Sequence, residues 1–180
     1  MQKRLSKTGS FVKLNNHHKD GLPNYRSFLQ RKAQFGTFSG FDPVWMPDFL
    51  FDFQKYLVEW ALKKGRAALF ADCGLGKTPM QLVWAENIVR KERKPVLIVT
   101  PLAVSYQTLR EGQKFGIGCE RSMDGRVAAD ITVTNYERLH EFRAEDFIGV
   151  VCDESSILKN FDGVRRGIIT EFLRTRPYRL

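Results

Sequence analysis

The segment that most constrains this chain is Ala71-Asp72-Cys73-Gly74-Leu75-Gly76-Lys77-Thr78. Before it runs Ala67 to Ala71, short and apolar like a buried strand. After it runs Thr78 to Glu92, with helical apolar spacing and Pro79 suited to a first turn. A strand, a glycine-rich turn and a helix in that order form an anion cradle. Glycine lets the backbone approach a ligand closely and turn its N–H groups inward. The helix N-terminus adds partial positive charge. The segment follows the pattern GxxxxGK[ST], with Ala71 where the strict form has its first glycine. Gly74, Leu75, Gly76, Lys77 and Thr78 are therefore candidate phosphate-binding residues. Lys77 suits the β- and γ-phosphates of ATP, and the Thr78 hydroxyl suits Mg2+.

The pattern around the loop alternates. Val96 to Val99 is a fully apolar strand, and Ile131 to Thr134 and Phe147 to Cys152 read as further strands. Asp48 to Lys64, Ala103 to Phe115 and Val164 to Arg174 read as helices, the first with Leu50, Phe53, Leu57, Trp60 and Ala61 on one face. Buried strands alternating with helices imply an α/β fold, a three-layer αβα sandwich around a mostly parallel sheet. Phe41, Val44, Trp45 and Met46 are too apolar for a free linker and are expected to pack onto this domain.

A second constellation lies at Val150-Val151-Cys152-Asp153-Glu154, an apolar strand ending in two carboxylates. Open α/β sheets place ligand chemistry at the ends of parallel strands. Asp153 is the candidate magnesium ligand. Glu154 is the candidate that orients and deprotonates an attacking water. The bland alternative, two surface acids capping the next segment, is weakened by the phosphate loop upstream.

The formal net charge is +9, and it is concentrated. Residues 1–40 hold eight basic side chains against Asp20 alone, and the remaining residues are nearly balanced. Residues 1–40 thus read as a basic arm, with a short helix expected over Tyr25 to Phe35. Such an arm either binds a phosphate backbone or is a solvated leader. No apolar run approaches the ~18 residues needed to span a membrane. Three cysteines without CxxC spacing argue against a disulfide framework and a zinc site, and fit a reducing cytosol.

Taken together, these segments resemble superfamily 2 helicases (DEAD/DEAH-box-like), and most closely the Swi/Snf-type DNA translocases, in a bacterial or phage style. Phe53-Gln54 followed by Trp60 is similar to the family's glutamine motif, which implies that Gln54 reads adenine. Gly74 to Thr78 matches the family's GLGKT. Val99-Thr100-Pro101-Leu102 and Thr134-Asn135-Tyr136-Glu137 resemble its two backbone-contacting motifs, which implies nucleic-acid contacts at Thr100, Pro101, Thr134 and Asn135. Asp153-Glu154-Ser155-Ser156-Ile157-Leu158-Lys159-Asn160 resembles the DEAH-like box followed by Lys-Asn. Ser156 stands where DEAH-type members have histidine, which puts the family's mode of nucleotide coupling in question.

The resemblance implies a RecA-like first lobe over residues 41–180, a cytoplasmic setting and double-stranded DNA as partner. In that fold a strand beginning near Pro177 to Leu180 lies between the phosphate-loop strand and the Asp-Glu strand. A second lobe then supplies arginine fingers. The sequence therefore reads as a lobe truncated at its C-terminus, a fragment or half of a split gene, and as inactive in hydrolysis by itself. Three functions stay open: the ATP-hydrolysing lobe of a DNA translocase or helicase, a P-loop ATPase that does not act on nucleic acid, and a non-catalytic nucleotide-binding module.

Overall fold

Val96-Leu97-Ile98-Val99 offers no polar face, so it needs cover on both sides. The computed structural model describes residues 38–180 apart from Cys73, Phe161 and the side chains of Ile157, Leu158, Asn160 and Arg165. In it this run forms β1 (Val96–Thr100), buried along its whole length. The expected helix over Tyr25 to Phe35 and nearly all of the basic arm lie outside the described residues.

Strand β1 pairs in parallel with β3 (Ile131–Asn135) on one side and β4 (Gly149–Cys152) on the other. Outside these lie β2 (Glu120–Arg121) and β5 (Tyr178–Arg179), giving the order β2-β3-β1-β4-β5, parallel throughout. Side chains alternate across a strand, and the core divides accordingly. Val96 and Ile98 enter one apolar cluster with α1 (Asp52–Lys64), α2 (Lys77–Glu92) and Leu109 of α3 (Leu102–Phe115). Leu97 and Val99 enter another with Tyr136, Leu139, Phe142, Phe147 and two residues of α4 (Gly163–Arg174), Ile169 and Phe172. The sheet is thus covered on both faces, as the sequence implies.

Helix α2 is apolar nearly all round, with Leu82, Val83, Trp84, Ala85 and Ile88 fully buried. A helix of that kind belongs inside a domain, and it lies against both α1 and the sheet. Its Asn87 amide, fully buried, is fully satisfied. Oδ1 accepts from Val44 N and Trp45 N, and Nδ2 donates to Trp45 O and Val83 O. These bonds fasten the loop before α1. Phe41, Trp45 and Met46 pack on the core as expected. The Val44 side chain does not: it is exposed, and its backbone makes the contact instead.

Two expectations need correction. Helix α1 begins at Asp52 rather than Asp48, and it buries Gln54, Val58, Ala61 and Leu62 while Phe53 is exposed. The inward face is turned by one residue because Gln54 has a polar partner inside. The second correction concerns Ala67 to Ala71. Arg66 bridges to Arg179, and Ala67 N donates to Arg179 O at 2.9 Å. Strand β5 thus lies between β4 and the segment leading to the phosphate loop, as the family resemblance implies. Ala68 to Ala71 has no ladder among the described residues, and Phe70 is 96% exposed. A strand is a property of a pair, and β5 reaches only the first residues of this segment.

Candidate functional site

The phosphate loop is shaped by two glycines. Gly74 and Gly76 have φ of +83° and +70°, a region that penalises residues bearing a Cβ. Gly76 carries a second constraint, since a Cβ there would lie 2.4 Å from Gln54 Nε2. Gln54, 4% exposed, ties α1 to the loop. Its Oε1 accepts from Phe51 N at 3.0 Å, and its Nε2 donates to Leu75 O at 2.9 Å. Gly76 then opens α2, whose first N–H groups lack intrahelical acceptors. Lys77 Nζ donates to Ala71 O at 3.2 Å across the loop. Thr78 follows in the first turn, nearly buried.

Asp153 follows directly on β4 and is anchored at three points. Its N–H donates to Val99 O at 2.9 Å. Its carbonyl accepts the Tyr136 hydroxyl at 2.8 Å. Its Oδ1 accepts from Gln81 Nε2 at 2.7 Å. Three elements, β1, the turn after β3 and α2, therefore hold one buried residue. Burial pushes the Tyr136 hydroxyl far above the ordinary phenol range, so it remains a donor. Burial also pushes the neighbouring Cys152 thiol up to about 12, which leaves it un-ionised and unreactive near neutral pH. Glu154 differs: it is exposed, its backbone has φ of +52°, and it accepts a hydrogen bond from Ser156 Oγ. A non-glycine residue in that region stores ~1–2 kcal/mol of strain, here at the residue expected to handle water. Ser156, where the family resemblance expects histidine, thus contacts the carboxylate itself.

Ala71, Asp72 and Lys77 of the loop line one cavity of about 500 Å3 together with Gln81, Asp153, Glu154 and Lys159, whereas Gly74, Leu75, Gly76, Thr78 and Gln54 do not line it. The residues present fit a divalent cation held with a phosphate. Thr78 and Asp153 supply hard oxygen ligands, and Gln81 Oε1 is a buried acceptor with no donor among the described residues. No cluster of three or more His, Cys, Asp or Glu exists among the described residues. Mg2+ is usually held by one or two carboxylates plus substrate phosphates. Gln81 and the Tyr136 hydroxyl are the partners of Asp153 that sequence reasoning missed. The available signal for Gln81 was a lone polar residue in the apolar run Met80 to Ala85, one turn beyond Thr78.

The four residues expected on nucleic acid are brought together. Register pairs Val99 with Thr134 and Thr100 with Asn135, so both motifs end at the same edge of the sheet. The side chains of Thr100 and Asn135, however, bond within the fold, and Thr134 Oγ1 is buried without a partner among the described residues. Thr100 and Thr134 are fully buried, Thr100 Oγ1 donates to Pro101 O, and Asn135 Oδ1 caps the following turn by accepting from Arg138 N. Pro101, partly exposed, sits at the N-terminus of α3.

No protein-family model matches the chain, and no curated protein matches it in sequence. Solved structures do match in fold. The SWI2/SNF2 ATPase core of Sulfolobus solfataricus aligns with a TM-score of 0.63 and 21% identity over 77% of this chain and 32% of that one. The same core in complex with double-stranded DNA aligns at 0.60 and 22%, over 72% of this chain and 31% of that one. The UvsW helicase of bacteriophage T4 aligns at 0.60 and 17%, over 86% and 58%. The described residues therefore have the RecA-like fold found in those ATPase and helicase cores, and the chain spans about a third of the SWI2/SNF2 cores. No helix among the described residues is long and apolar enough to cross a membrane.

Proposed function

We propose that this chain is the ATP-binding lobe of a nucleic-acid-dependent motor ATPase, acting on double-stranded DNA. The observation that carries the reading is that Ala71, Asp72 and Lys77 of the loop line one cavity with Asp153 and Glu154. In this reading Lys77 and the loop N–H groups bind the β- and γ-phosphates. Thr78 and Asp153 would hold Mg2+, which when bound neutralises charge developing on the phosphate oxygens. Glu154, held by Ser156, orients a water and takes its proton. Gln54 favours adenine, because its amide keeps one hydrogen and one lone pair beyond the bonds to Leu75 O and Phe51 N.

DNA as partner rests on the shared fold with a core that binds double-stranded DNA and on the basic charge of residues 1–40. Given the burial of Thr100 and Thr134, contact at those motifs would fall to backbone groups and the N-terminus of α3, where phosphates are readily accepted.

Calorimetry with ATP and Mg2+ tests the site: Lys77→Ala should weaken binding at least ~100-fold, the scale of a lost charge-assisted phosphate contact. Equal affinities would remove the assignment. For Gln54, competition should show ATP preferred over GTP in the wild type and a narrowed preference in Gln54→Ala. GTP competing as well as ATP in both would remove the adenine role. The cavity lining contains lysines and no arginine among the described residues, and a transition-state arginine is worth ~10³–10⁵ in rate. Steady-state phosphate release by the 180-residue chain is accordingly expected to be very slow, with or without duplex DNA. Robust release that disappears in Glu154→Gln would show the site to be self-sufficient.

A further inference from the structure

Gln81 takes no direct part in the chemistry just described, yet its surroundings are not those of an ordinary core glutamine. It lies one turn after Thr78 on α2, is 8% exposed, and lines the cavity beside Lys77, Asp153 and Glu154. Its Nε2 donates to Asp153 Oδ1 at 2.7 Å, while Oε1 is buried without a donor among the described residues. The orientation of the amide follows from its partner. The NH2 group faces Asp153, whose Oδ1 accepts from it. One side of the amide is thus spent on the expected metal ligand, and the other is buried without a donor among the described residues. A residue serving packing alone would be better filled by methionine or leucine, which bury no polar atom.

We propose that Gln81 is the positioning residue of the divalent-cation site. Its Nε2 sets the rotation of the Asp153 carboxylate and leaves Oδ2 to face the cation. The inference rests on reading the loop and acid pair as a magnesium-nucleotide site. Mg2+ gives up its waters reluctantly and keeps several when bound by one or two carboxylates. Partners that orient a ligating carboxylate typically change metal affinity by ~10–100-fold. Asp153 contributes a single carboxylate, so its rotation decides whether a lone pair meets the cation at all.

The test is calorimetric titration of the full 180-residue chain with ATP in Mg2+ and with ATP in EDTA, for the wild type and Gln81→Met. Methionine matches the side-chain volume and removes the donor and the orphaned acceptor together. Gln81→Met should bind metal-free ATP within about twofold of wild type, yet lose about tenfold of the tightening that Mg2+ produces. A purely structural role would shift both affinities together or neither. Equal Mg2+ tightening in the two proteins overturns the proposal and leaves the nucleotide site standing. No ATP binding by the wild type overturns the nucleotide site, and this proposal with it. A second measurement uses the unaltered protein: with Mn2+ replacing Mg2+ in the ATP complex, the Gln81 side-chain NH2 resonance should broaden beyond detection. A resonance that stays sharp places the cation elsewhere and overturns the proposal even where Gln81→Met does not fold.

Discussion

The two walls of the cavity are built in opposite ways. The phosphate-loop wall is shaped mainly by its own sequence, with glycines at positive φ and a helix that starts directly after them. Its tie to α1 is the Gln54–Leu75 bond. The acidic wall is held from outside: Asp153 is fixed by Val99, Tyr136 and Gln81, which belong to three other elements. A wall written in contiguous residues keeps its shape when distant parts change. A wall assembled from several elements registers a shift in any of them. If the proposed function holds, the second arrangement is where nucleotide state can be coupled to a second ligand. Tyr136 directly follows Asn135, so the end of the β3 motif and the Asp153 carbonyl share one hydrogen bond.

Substitutions can break this contrast or sharpen it. The largest effect is expected for Gly76→Ala, where a Cβ meets both an unfavourable φ and Gln54 Nε2. Adding the left-handed backbone penalty to a displaced buried hydrogen bond gives a loss of about 2–4 kcal/mol, read from urea denaturation, together with weakened ATP binding. Tyr136→Phe comes next. It leaves the Asp153 carbonyl without its donor and should cost about 1–3 kcal/mol. A denaturation midpoint equal to wild type would mean that the acidic wall does not depend on this anchor. Gly74→Ala should be the mildest, because nothing lies within 4 Å of its added Cβ. Only the backbone term of ~1–2 kcal/mol remains there. Were Gly74→Ala as costly as Gly76→Ala, the Gln54 contact would not be what constrains the loop.

The features legible in the sequence were those with local causes. Apolar runs without a polar face marked β1 and β4, because such runs are stable only inside a covered sheet, and β-branched residues marked β3. The helical apolar period marked the four helices to within a few residues, and glycine spacing before Lys77 marked the loop. The burial of Trp45 was likewise visible as apolar residues in a segment with no element of its own. What the sequence could not decide was which distant groups would meet. Gln54 and Phe53 adjoin, and only the position of Leu75 O turned the glutamine inward and the phenylalanine out. Ala67 to Ala71 has the composition of a strand, but a strand exists through its neighbour, and β5 reaches only its first residue. Gln81 and Tyr136 read as a helix residue and an aromatic in a motif until the fold set them against Asp153 from two sides. Residue type and period act within a few residues along the chain, whereas a hydrogen-bond partner is chosen by tertiary packing.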